Sequence, residues 1–352
     1  MSRRIKLIDV AKGISIILVA IGHTKLRSYM LDIHQAMLLF RMPLFFFLSG
    51  VFFSVSTKPA AFIAKKTDAL LKPYFVTLFV ALFISMLSGQ EVDSWKILGV
   101  VYGNGVTIGR PWAPLWFLTH LWCLYIATYF LFRHTNLQSR SIAIKTLFII
   151  FLFVVGSLCM GKFWYLPVSI ANHEVELPGL PFSIDIIFLS MMYFVSGAFL
   201  SENIKKFEPT AYFSIGATCL FILIAVNTGA IINFSKRIYA EPLYATIAAF
   251  SGIYVILTAS YYLCKSERLT RGFVFFGEAS LFILIFHAFI SFHAFKILIE
   301  LMGSSYKLTC ALLAFIASIV VPVFIRKMML CNPVLMLLYF PLNSRNIPKK
   351  CS

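Results

Sequence analysis

Six ionisable side chains, Lys12, His23, Arg41, Asp185, Glu278 and His287, stand inside long apolar stretches of this sequence. At the centre of a membrane helix such a group costs about 2.5–3.5 kcal/mol on insertion scales, so each needs a partner, water or a function. Counting about 1.5 Å of rise per residue along each helix puts His23 and His287 roughly 21–23 Å from the inner surface. That is the outer half of a hydrocarbon layer about 30 Å thick. Arg41 and Asp185, on helices entering from the opposite side, come to roughly 5–8 Å below the outer surface by the same rise. Four groups from four helices at one depth predict a polar cavity, the property of an enzyme or transporter rather than of a passive anchor. Each residue also has a plainer role open to it. A lone histidine can be a hydrogen-bonded packing residue, Arg41 can snorkel to the interface, Asp185 can cap its helix near Phe182 and Ser183, and Lys12 can pair with Glu278.

The elements that carry these residues follow from composition. Of 352 residues, 60% are hydrophobic and 13% charged, with a mean hydropathy of +0.87, whereas a soluble domain carries roughly 25% charged residues. Ten stretches have about the 20 apolar residues that a membrane helix needs: 8–28, 35–57, 69–88, 112–132, 142–160, 182–200, 210–227, 242–264, 273–295 and 307–326. Their continuous, Phe-rich character argues for helices rather than barrel strands. The expected fold is an all-α polytopic bundle of about ten transmembrane helices in one domain, residues 1–352. Residues 330–342, short and holding Pro333 and Pro341, are placed at the interface, with 343–352 as a cytoplasmic tail.

The first stretch is too long and too polar, with Lys12 and His23, to be a cleavable signal. Basic residues such as Arg3, Arg4, Lys58, Arg133, Arg140, Arg326, Arg345, Lys349 and Lys350 crowd one side, which predicts cytoplasmic N- and C-termini. That orientation accounts for the net charge of +17 and leaves no case for nucleic acid. The seven cysteines lack metal-ligand spacing and mostly lie in apolar runs, so neither a structural disulfide nor a metal is expected. No internal repeat of the transporter kind stands out. Among the outer loops, residues 161–181 mix aromatic, acidic and amide side chains in the manner of a polar-ligand vestibule.

The sequence resembles the bacterial integral-membrane acyltransferase-3 family at several points in the right order. RRIKLIDVAKGISIILVAIGH sets Lys12 eleven positions before His23, as that family's first helix sets a basic residue before a histidine. FRMPLFFFLSGVFF (40–53), KPYF (72–75), PLWFL (114–118), the Asp185 helix ending in SGAFL, and FGEASLFILIFHAFI (275–289) are similar to its later motifs. The resemblance implies transfer of an acyl group, usually acetyl, from cytoplasmic acyl-CoA to a sugar hydroxyl of O-antigen, exopolysaccharide or another surface glycan. It implies a multi-pass protein among the lipids of the inner membrane, with acetyl-CoA as donor and a glycan or lipid-linked sugar as acceptor.

Within that chemistry His23 is the expected base or acyl-carrying nucleophile, and Arg41 the cation for the oxyanion. Asp185 and His287 are the further catalytic candidates. Lys12, Lys65, Lys66 and Lys72 are the expected phosphate-attracting cluster for the donor, whose pantetheine arm has to thread toward His23. The family's Arg-x-x-Arg pair before the third helix is replaced here by Lys65-Lys66-Thr67-Asp68-Ala69, so point charges stand where a bidentate guanidinium is usual. The competing reading is a transporter or flippase of a lipid-linked sugar or small polar substrate.

Overall fold

A computed structural model describes residues 6–55, 57–170 and 173–342. The side on which the termini lie, argued in part from Arg3, Arg4, Arg345, Lys349 and Lys350, rests on residues outside those described. The chain is an all-α polytopic membrane protein. Among the described residues eight helices are long and apolar enough to cross a bilayer, and the apolar helix Ala211–Asn227 is shorter. In chain order the elements are α1 (Lys6–His23), α2 (Leu31–Val51), α3 (Pro59–Leu87), α4 (Ser94–Tyr102), α5 (Trp116–Thr135), α6 (Ile142–Cys159), α7 (Ile187–Phe199), α8 (Ala211–Asn227), α9 (Pro242–Leu263), α10 (Glu267–Glu278), α11 (Ser280–Met302), α12 (Lys307–Cys331) and α13 (Pro333–Tyr339). Two antiparallel hairpins interrupt them, β1 (Trp164–Ile170) with β2 (His173–Pro178) and β3 (Ile231–Asn233) with β4 (Ile238–Ala240).

Helix boundaries depart from the expected ones where polar groups satisfy freed backbone. α1 stops at His23 instead of running on to residue 28. Thr24 is extended there, its hydroxyl donating to the Ile21 carbonyl at 3.0 Å. Arg27 Nη1 donates to the Gly22 carbonyl at 3.3 Å, so carbonyls left at the helix end find partners. The expected span 273–295 is split at Ala279 into α10 and α11, which moves Glu278 from mid-helix to a helix end. The vestibule expected over 161–181 is largely the β1–β2 hairpin, apart from residues 171 and 172, which lie outside those described.

The segment 330–342 is bound to the rest of the bundle. α12 continues to Cys331, and α13 docks against α3, where Lys72 Nζ donates to the Phe340 carbonyl at 2.7 Å and the Leu342 amide to Asp68 Oδ2 at 2.6 Å. Cys331 is disulfide-bonded, contrary to expectation, because it closes α12 beside Asn332 and Pro333 rather than lying inside an apolar run. Cys123, Cys159, Cys219, Cys264 and Cys310 are free.

Small residues set the closest helix crossings, as expected where lipid gives no hydrophobic drive between helices. A Cβ on Gly50 of α2 would sit 1.8 Å from the Phe194 carbonyl oxygen, and one on Gly197 of α7 would sit 2.0 Å from that of Phe47. These are the glycines of the two Ser-Gly motifs, SGVFF and SGAFL. In the same way Gly13 meets the Phe273 carbonyl at 2.1 Å and Gly277 that of Asp9 at 2.4 Å, so α10 lies directly on α1. The aromatic interior packs between these crossings, with Phe46 edge-on to Phe117, Phe234 and His120 or tilted against them.

Candidate active site

Helix α1 delivers His23 as its last residue. It keeps exposed surface there and borders a small space between the helices. That space is a chamber of about 20 Å³ whose walls include Val19, His23, Met42, Phe45, Trp116, Phe117 and Leu284. Against His23 stands His287 of α11, fully buried, with ring centroids 5.2 Å apart and planes at 67°. His287 Nδ1 lies 2.8 Å from the Ile283 carbonyl and 3.0 Å from that of Leu284. Both are acceptors, so Nδ1 carries the proton and Nε2 is left with its lone pair. Nε2 has no hydrogen-bond partner among the described residues.

Arg41 completes this group. It is 7% exposed, so it does not snorkel, and it lies within electrostatic reach of both histidines. Starting α2 at Leu31 puts Arg41 about 15 Å along its helix, deeper than the sequence suggested. Nη1 reaches the Leu18 carbonyl only at 3.5 Å, and Nε has no partner among the described residues. The guanidinium therefore keeps a buried donor at Nε that no described residue takes up. It passes over the backbone at Gly22, where a Cβ would stand 1.6 Å from Nη1. Glycine beside His23 is what lets Arg41 lie there.

Asp185 is elsewhere. It forms a buried ion pair with Arg237, Nε to Oδ2 at 2.8 Å and Nη2 to Oδ1 at 3.1 Å, and accepts the Leu180 amide at 3.0 Å. Neither the pairing with Arg41's level nor a simple N-cap describes it. The Arg237 guanidinium also lies 4.7 Å over the Trp164 ring, tying the β3–β4 turn to the first hairpin. Tyr102 donates to the Gly179 carbonyl in the same layer. Its phenol is pushed up by burial and then by the Asp185 carboxylate, so it stays a neutral donor. His120, with Nε2 2.8 Å from Ser190 Oγ, packs on Trp116 of the chamber wall.

Sequence reasoning missed His120 and Arg237. His120 sits next to the PLWFL motif, which was a usable signal. Arg237 read as ordinary loop charge and had none.

A second cavity, of about 230 Å³, adjoins the first. Asp9, Lys12, Ser49 and Glu278 line it, and Phe45 lines both. Lys66 extends its polar rim. Its ammonium lies 3.2 Å over the Tyr125 ring, whose hydroxyl donates to the Ser49 carbonyl at 3.2 Å. Lys12 and Lys66 are close enough to repel each other. Of the four lysines singled out, the structure brings these two together. Lys65 is exposed, and Lys72 is held 2.5 Å from Asp68 and bonded to Phe340. The larger cavity thus sets Lys12 beside two carboxylates, with Lys66 near its Ser49 edge, and shares Phe45 with the histidine pocket.

The site is thus a helical membrane domain in which His23 borders a small chamber, with His287 and Arg41 packed beside it. A family model described as an acyltransferase domain matches residues 5–327, and the chain belongs to that family, acyltransferase-3. No curated protein and no solved structure matches the chain.

Proposed function

We propose that the protein is an O-acyltransferase of the bacterial inner membrane that moves acetyl from cytoplasmic acetyl-CoA to a sugar hydroxyl of an O-antigen, exopolysaccharide or other surface glycan. The observation that carries the reading is His23 on the wall of a chamber that shares Phe45 with a second cavity lined by Lys12. In this reading Lys12 and Lys66 draw in the donor phosphates, and the pantetheine arm runs through the larger cavity. His23 accepts the proton of the attacking hydroxyl as the acyl carbon exchanges its C–S bond for a C–O bond. That proton then passes to the departing thiolate. Arg41 faces the negative charge that gathers on the carbonyl oxygen, and His287 holds the His23 ring edge-on. The acceptor glycan, free or lipid-linked, comes from the opposite side.

The test is incubation of purified protein in lipid with radiolabelled acetyl-CoA and a panel of free and lipid-linked glycans. Label recovered on a glycan as a base-labile ester is the expected result. A protein that moves a lipid-linked sugar across vesicles but never forms such an ester would instead be a flippase.

Arg41's part has its own test in Gly22→Ala. The new methyl meets the far end of a flexible side chain rather than backbone, so the bundle is expected to assemble while the guanidinium swings away. Transfer should fall by roughly 10²–10³-fold, the usual effect of losing an oxyanion donor, with a melting temperature close to wild type. Full activity in the folded variant would remove Arg41 from the chemistry.

A further inference from the structure

Three consecutive phenylalanines in α2 have different surroundings. Phe46 and Phe47 are 0% and 2% exposed, each fully packed. Phe45 alone keeps open surface. Its ring stands edge-on to Phe117 at 5.0 Å, and the residue lines both cavities, the one of about 230 Å³ with the lysine and the one of about 20 Å³ with His23. One water needs about 10–15 Å³ of such space, so the chamber at His23 takes a group of roughly methyl size. Apart from His23, the rest of its wall, Val19, Met42, Pro114, Trp116, Phe117 and Leu284, is apolar.

We propose that Phe45 is the acyl-length selector of this enzyme, the partition that lets a two-carbon acyl group reach His23 and stops longer ones. The proposal rests on the acyl-CoA reading above and specifies the donor class within it. A thioester carbonyl can meet His23 only if its alkyl chain fits beyond Phe45. In acetyl that chain is a single methyl, whereas butyryl adds two methylenes that collide with the Phe45, Met42 and Leu284 side chains. Removing the ring joins the small chamber to the large one and gives those methylenes room.

The measurement is the relative transfer rate, together with the equilibrium binding, of acetyl-, propionyl-, butyryl- and octanoyl-CoA. It uses full-length wild type, Phe45→Leu, Phe45→Ala and, as an outward-facing control, Phe213→Ala, at a position 73% exposed. Each methylene misplaced in an apolar pocket changes discrimination by roughly 10–200-fold. Wild type and Phe213→Ala are therefore expected to prefer acetyl over butyryl by at least about tenfold. Phe45→Leu should narrow that ratio and Phe45→Ala should close or invert it, with butyryl-CoA binding tightened in parallel.

Should Phe45→Ala not assemble, Phe45→Leu and Met42→Ala carry the comparison. Wild type that uses acetyl and butyryl alike, or folded Phe45 variants with an unchanged ratio, would overturn the selector while leaving acyl transfer standing. No transfer from any donor by wild type would overturn the acyl-CoA reading itself, and the selector with it.

Discussion

His23→Gln is expected to lower acyl transfer by roughly 10²–10⁴-fold, the range for loss of a positioned general base, with little change in stability. The stability expectation follows from position. His23 ends its helix and faces a chamber, so glutamine there neither opens a void in a packed core nor strands a buried charge. The comparison also separates two routes through the same residue. If His23 only removes the hydroxyl proton, enzyme incubated with labelled donor and no acceptor and then quenched carries no covalent label. If the acetyl group is first passed to the imidazole, the wild-type chain retains label and His23→Gln does not. A His23→Gln protein that is folded, binds donor and transfers at the wild-type rate would sink both routes. His287 differs in kind. Its Nδ1 is committed to the carbonyls of its own helix, so His287→Ala should act through the orientation of His23 and slow transfer less than His23→Gln.

The second large effect is on stability. Asp185 and Arg237 have side chains 2% and 1% exposed, and their forked pairing joins the start of the α7 segment to the β3–β4 turn. Removing one partner of a buried ion pair leaves the other charged, desolvated and alone, which costs about 3–5 kcal/mol. Asp185→Ala and Arg237→Ala are each expected to destabilise by about that much, read by thermal or denaturant unfolding in detergent. The double replacement Asp185→Leu with Arg237→Met should recover much of the loss, because a well-packed apolar pair avoids the desolvation cost altogether. A double variant as unstable as the sum of the singles would show that the pair does not couple. Because Asp185 is not on the chamber wall, the double variant should retain transfer per folded molecule within a few-fold. A loss on the scale of His23→Gln would return Asp185 to the chemistry.

The sequence disclosed a good deal of the site as well as of the fold. The apolar stretches recur in the structure as long helices, because spanning a bilayer demands runs of apolar residues that are visible one segment at a time. Depth counting put His23, His287, Arg41 and Asp185 at one level; in the structure His23, His287 and Arg41 lie near one another while Asp185 pairs with Arg237. The Ser-Gly motifs were visible too, although their reason was not. Gly50 and Gly197 are glycines because the α2 and α7 backbones touch at each of them.

What hydropathy could not reveal is partnership. Asp185 and Arg41 share a level by counting, yet Asp185 pairs with Arg237, 52 residues away in sequence, which had looked like ordinary loop charge. Lys72 had looked like a donor-binding residue and is held by Asp68 and by the Phe340 carbonyl that α13 brings back to α3. The break at Ala279 escaped for a related reason, since an amphipathic helix lying on α1 and a buried one after it read as one continuous apolar pattern. By itself, then, the sequence determined that this is a helical membrane protein with ionisable residues it has to shelter. Only the tertiary structure decided which of them lie side by side, which are locked in pairs, and that Phe45 lines both cavities. Burial cost is a property of each residue in its own helix, whereas a partner or a wall is set by how distant helices approach, and that approach depends on residues such as Gly22, where a single added methyl would stand 1.6 Å from Arg41 Nη1.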